Sequence, residues 1–188
     1  HYRKVEDYFA RINAVMTRGR ERRNVLVIHP IESAWALQHE HSIDEGPLKH
    51  CNTAMQKVRD SLLAANIDFD YGDEAILEKH ASVKPDTTGT AVLNVNKADY
   101  RAVIVPPMVT IRSSTLNLLR EFRDTGGTVV FAGDAPKDVD ASPSEQAETL
   151  AAECRVTPES GKPLADAGES AGRLVSILDD AGSEIEAT

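Results

Sequence analysis

Val5, Tyr8, Phe9, Ile12, Val15 and Met16 follow one another at steps of three, one, three, three and one, which predicts an amphipathic helix that Gly19 ends. The run Asn24-Val-Leu-Val-Ile-His-Pro30 is short, apolar and β-branched, the pattern of a central strand covered on both faces. Residues 31–46 are polar and irregular and read as a loop. Behind Pro47, a favoured first helical position, Leu48, Cys51, Met55, Val58 and Leu62 repeat at steps of three and four, giving a crossover helix. Ile67-Asp-Phe-Asp-Tyr71 alternates strictly and reads as a half-exposed edge strand parallel to the first. Asp73 to Lys79 fits one or two helical turns.

Further along, Pro85-Asp-Thr-Thr-Gly89 separates Ser82-Val-Lys from Ala91-Val-Leu-Asn-Val95, which predicts a small hairpin. Arg101-Ala-Val-Ile-Val-Pro-Pro107 and Thr128-Val-Val-Phe-Ala132 are two more buried parallel-type strands. Between them a helix runs through Leu116, Leu119 and Phe122, with Ser113 or Ser114 as its cap and Gly126-Gly127 as its end. Ser144 to Cys154 and Gly172 to Ala181 are helix candidates, with Arg155-Val-Thr-Pro158 a short strand between them. The order β-α-β-β-β-α-β predicts a three-layer, flavodoxin-like α/β fold: a mostly parallel sheet with helices on both faces.

The 188 residues fit one domain able to build a core without disulfide staples. Net charge is −9, and all of it falls in residues 134–188, which hold thirteen acids and four bases. The single basic cluster, Arg18, Arg20, Arg22 and Arg23, is interrupted by Glu21, so counterion release offers little and nucleic acid is excluded as a partner. No apolar run approaches the ~20 residues of a membrane span. Cys51 and Cys154 form no disulfide framework or zinc motif, and with no Asn-x-Ser/Thr sequon they leave the compartment open between bacterial cytoplasm and secretion. A start at His1 without Met is the expectation for a piece of a longer polypeptide.

In such a sheet, ligands bind beyond the carboxyl ends of the strands where strand order reverses, which selects His29 to Trp35 on one side and Pro106 to Ile111 on the other. Phosphate binding needs a Gly-rich turn, and His-Pro-Ile-Glu-Ser-Ala-Trp has no glycine, so neither a nucleotide nor a flavin is expected. Acyl transfer needs a Ser or Cys on a strand-to-helix elbow, and the strand ends read Pro106-Pro107-Met108 and Gly133-Asp134-Ala135. Cys51 falls in the apolar repeat of a helix and Cys154 near the end of another, and both read as structural. His39-Glu40-His41 lacks helical metal spacing and a third ligand, so it reads as a solvated loop, with no metal or other cofactor expected. Glu32, Asp44, Glu45, Asp73, Glu74 and Asp134 gather near the crevice, and a hydrolytic pair among them is an alternative whose separation the sequence does not supply. Trp35, the only Trp, falls outside the apolar repeats and is read as stacking on a sugar, on a partner, or over the sheet edge.

Tyr8-Phe-Ala-Arg-Ile12, Asn24 to Trp35, Asp68-Phe-Asp-Tyr71, Tyr100 to Pro107 and Leu116 to Pro136 together resemble the non-catalytic domain of large bacterial glycoside hydrolases. The likeness is strongest to α-L-rhamnosidase-like enzymes and extends to the trimerisation domain of β-galactosidases, both with a class I glutamine amidotransferase-like domain after a (β/α)₈ barrel. It covers residues 2–136. It implies a connector helix in 1–23 and an amidotransferase-like core in 24–136; outside the resemblance, the acidic residues 137–188 read as a helical extension packed on the core. It also implies a catalytic barrel, of the same polypeptide or a neighbouring subunit, as partner, with carbohydrate as a further one and catalysis on the barrel. The chain departs from true amidotransferases in having no elbow Cys and no following His-x-Glu. Glu32, Ser33, Trp35 and Met108 are the ligand or interface candidates, and no residue is assigned as catalytic.

Overall fold

The computed structural model describes residues 2–18, 23–38 and 46–169. Helix α1 (Tyr2–Met16) leads to strand β1 (Val25–Ile28), which is followed directly by a two-turn helix α2 (Ile31–Gln38) and by α3 (Gly46–Ala64). Strand β2 (Phe69–Gly72), helix α4 (Glu74–His80) and three short strands, β3 (Ala81–Pro85), β4 (Ala91–Val95) and β5 (Ala98–Tyr100), precede β6 (Ala102–Val105). Then come β7 (Thr110–Ile111), α5 (Ser113–Asp124), β8 (Thr128–Ala132), β9 (Asp138–Val139) and β10 (Ser142–Pro143). Helix α6 (Gln146–Ala152), β11 (Arg155–Thr157) and α7 (Lys162–Glu169) complete the described chain.

The central sheet is parallel throughout, in the order β11-β8-β6-β1-β2. With helices on both faces, this is the three-layer flavodoxin-like fold. The apolar runs of the three inner strands work because alternate residues serve opposite faces. Leu26, Ile28, Val103, Val105, Val129 and Phe131 point to one core with Leu116, Leu119 and Phe122 of α5 and Leu150 of α6. Val25, Val27, Ala102, Ile104, Val130 and Ala132 point to the other, with Val58 and Leu62 of α3 and Leu164 and Ala167 of α7. The edge strand β2 is half-exposed, as its alternation predicts. Helix α3 buries Leu48, Cys51, Ala54, Val58 and Leu62, so the repeat is displaced only where Ala54 goes deeper than Met55.

Several local expectations change. Residues 31–38 are helical and not a loop, and Trp35 sits on that helix. Of its residues only Ser33 is buried, so no apolar periodicity could announce it. The expected hairpin is a three-stranded antiparallel meander, β3-β4-β5, because Asn96 takes a left-handed conformation (φ 52°) and returns the chain through β5. The N-cap of α5 is Arg112, not Ser113 or Ser114, and its side chain makes no capping bond. Strands β7, β9 and β10 form a second small sheet that no sequence pattern indicated, each being two residues long. The helix expected over Gly172 to Ala181 and the stop at Gly19 lie outside the described residues.

Candidate functional site

Strand order reverses between β1 and β6, and the strand-end argument therefore points to the edge formed by α2, the β6–α5 connection and the first turn of α4. Ser33 ties this edge together. Its buried hydroxyl accepts the N–H groups of Val109 (3.1 Å) and Thr110 (3.0 Å) and donates to the Thr110 carbonyl at 3.0 Å. A short helix with one buried residue is thereby pinned to β7 by hydrogen bonds in place of apolar burial. Met108, on the same connection, is turned into the core with Leu116 and Ile111.

Arg112 is the hub of the edge. Its Nε donates to Glu32 Oε1 at 2.6 Å and Nη1 to Glu78 Oε2 at 2.6 Å, while a second guanidinium nitrogen also meets Glu32 Oε1. The side-chain bond from Glu32 is the main reason its guanidinium is held more firmly protonated than usual. Its backbone N–H donates to Glu74 Oε2 at 2.8 Å, and the next N–H, that of Ser113, donates to Asp140 Oδ1 at 3.0 Å. Two carboxylates distant in sequence, Glu74 at the start of α4 and Asp140 in the β9–β10 turn, therefore occupy the amino end of α5, where exposed N–H groups favour negative charge. Glu74 is only 1% exposed. Burial pushes its carboxyl up, against the opposing pull of the Arg112 N–H. Asp140 shifts the other way, lowered chiefly by its bonds to Ser113.

The remaining candidates divide in the same way between structural use and solvent. Asp73 caps α4, its Oδ1 accepting the Ile76 N–H at 3.0 Å. Asp134 is exposed beyond β8. Glu159, at the far end of the edge, takes Lys57 Nζ at 3.1 Å and has His50 Nε2 3.8 Å away. Burial pushes the thiols of Cys51 and Cys154 up, away from the thiolate form a nucleophile needs. Trp35 faces water with most of its surface, at 60% exposure. His29 and Tyr71 meet edge-to-face at 5.8 Å where β1 and β2 end. Arg112 and Glu78 are the edge residues that sequence reasoning missed, since a salt bridge between positions 34 apart leaves no periodic trace.

Among the described residues no three His, Cys, Asp or Glu side chains converge as a metal site, and no helix is long and apolar enough to cross a membrane. His39, Glu40, His41, Asp44 and Glu45 lie outside the described residues.

Fold and edge define the class: a flavodoxin-like α/β domain whose switch-point edge is laced by its own side chains. No family model matches the chain. No curated protein matches it. Among solved structures it is similar to the β-galactosidase from Bacillus circulans sp. alkalophilus, at 21% identity and a TM-score of 0.41. That similarity covers 62% of this chain and 14% of the β-galactosidase.

Proposed function

We propose that this chain is a non-catalytic structural and interaction domain of a carbohydrate-active glycoside hydrolase, packing on the catalytic barrel of its own polypeptide or on a neighbouring subunit. The observation that carries the reading is how the ligand edge is used. Ser33 spends its hydroxyl on β7, Glu32 and Glu78 clamp Arg112, and Glu74 is buried against its backbone. These groups hold α2, α4 and the start of α5 in place and none is poised as nucleophile or general base. The sequence resemblance over residues 2–136 supplies the kind of enzyme. In this reading residues 1–23 are the connector, 24–136 the core and 137–188 its acidic extension, with Glu32 and Trp35 facing the barrel's active-site mouth. The test is an assay of the chain on aryl glycosides. No turnover is expected. Turnover abolished by Glu32→Gln or Asp134→Asn would overturn the proposal.

A second reading, a stand-alone sugar-binding module, is favoured by the exposure of Trp35. Because Trp35 is the sole Trp, its fluorescence reports directly on a ring stacked against it. Saturable quenching by methyl β-D-galactopyranoside, lost in Trp35→Ala, would favour this reading over the first.

A further inference from the structure

None of the fifteen residues of α1 is buried, although seven of them are large and apolar. Tyr2, Val5, Phe9, Ile12 and Met16 step by three, four, three and four, and Tyr8 and Val15 widen the stripe on one side. At about 100° per residue they span about 140° of the helix, the breadth of a helix that faces a core. Exposures of 40% for Ile12 to 78% for Tyr2 put the whole stripe in water. The charges beside it are not symmetric. Lys4 and Arg11, seven residues apart, run along the Tyr8 and Val15 side, and Arg18 continues the row just past the helix end. The opposite flank carries only Glu6 and Asn13.

We propose that α1 docks on a helical protein surface whose apolar seam is edged along one side by carboxylates. The proposal deepens the interaction-domain reading, on which it rests for the existence of a neighbour, by naming the neighbour's chemistry. Charge complementarity selects this occupant. A second copy does not satisfy the row: an antiparallel α1 pair sets basic flank against basic flank, and a parallel pair offers Glu6 as its one counter-charge. An anionic lipid surface would meet Glu6 on the flank opposite the basic row, on a protein of net charge −9.

The test uses the full chain and two labelled three-heptad peptides with leucine at positions a and d, one carrying glutamate and the other lysine at e and g. Fluorescence anisotropy at low salt should show saturable binding with about a tenfold preference for the glutamate peptide, shrinking as salt is added. The double variant Lys4→Glu/Arg11→Glu should reverse the preference, and Phe9→Asp/Ile12→Asp should abolish binding of both. Neither pair touches the α/β core, so thermal unfolding should be unchanged. Equal binding of the two peptides, binding of neither, or a preference for phosphatidylserine-containing vesicles over the acidic peptide would overturn the proposal. So would concentration-dependent dimerisation lost in Phe9→Asp/Ile12→Asp. Glycoside turnover is scored separately, so failure here leaves the non-catalytic reading standing.

Discussion

Glu74 accepts the backbone N–H of Arg112 at 2.8 Å, while the guanidinium of the same arginine is held by Glu32 and Glu78. One residue thus fastens α2, α4 and α5 together, and the carboxylate in the middle of the knot is the buried one.

That burial makes Glu74 a source of pH dependence with a definite sign. Its folded carboxyl is raised, so the contribution it makes is complete below the ordinary glutamate range, about 4.3, and is lost as pH rises through the folded value. Glu74→Gln keeps an acceptor for Arg112 N–H and removes the charge. The variant should match the wild type at low pH and gain on it steadily above about pH 4.3, in urea unfolding measured at intervals to pH 8. Asp140 works in the opposite sense: its lowered carboxyl stabilises above its ordinary range and ceases to do so as pH falls. Asp140→Asn should therefore lose stability relative to the wild type at neutral pH and converge with it in acid.

Ser33→Ala should be costly for so small a change. It strands the N–H groups of Val109 and Thr110 and removes the hydroxyl's donation to the Thr110 carbonyl. Unpaired groups of this kind cost about 1–3 kcal/mol each, and partial hydration brings the expected loss to about 2–3 kcal/mol. The urea midpoint should fall with the slope unchanged.

The contrast between Ser33 and the inner strands shows what a single sequence reveals. Val25 to Ile28, Ala102 to Val105 and Thr128 to Ala132 are apolar on both faces and could be nothing but covered strands, so sheet and layers were legible. Helix α2 was not, because what holds it are polar bonds from Ser33 and Glu32 to a segment 76 to 80 residues away. Helix α7 was missed for a related reason: among its residues Leu164 and Ala167 supply the buried apolar contact, too little to make a period. The edge where strand order reverses could be placed from strand order alone. Its content could not, since the Arg112 knot joins residues by charge and not by spacing.

Asp140 and Ala141 both take left-handed conformations, φ 50° and 58°, in the two-residue turn between β9 and β10. Such turns prefer glycine at the second position, because a side chain there strains the backbone. Ala141→Gly should relieve that strain at some entropic cost in the unfolded chain, for a net gain of about 0.5 kcal/mol. Its N–H bond to Thr110 Oγ1 at 2.9 Å is retained, so a gain in melting temperature isolates the backbone effect. A melting temperature that stays put or falls would show the turn to be unstrained.

Gly126 and Gly127 sit side by side after α5, yet substitution should fail at them for different reasons. Gly126 has φ 95° and open space around an added Cβ, so Gly126→Ala meets only the backbone penalty of about 1–2 kcal/mol. At Gly127 an added Cβ would stand 2.2 Å from Phe122 Cε2, in a ring that is fully buried. Gly127→Ala must push that ring into a packed core, at a cost of about 1–3 kcal/mol or more. The two are told apart by a second substitution. Phe122→Leu should lessen the loss at Gly127 and leave the loss at Gly126 unaltered, giving a favourable coupling energy of about 1 kcal/mol in the first cycle and none in the second. No coupling in either cycle would place the strain of the helix end in the backbone at both glycines.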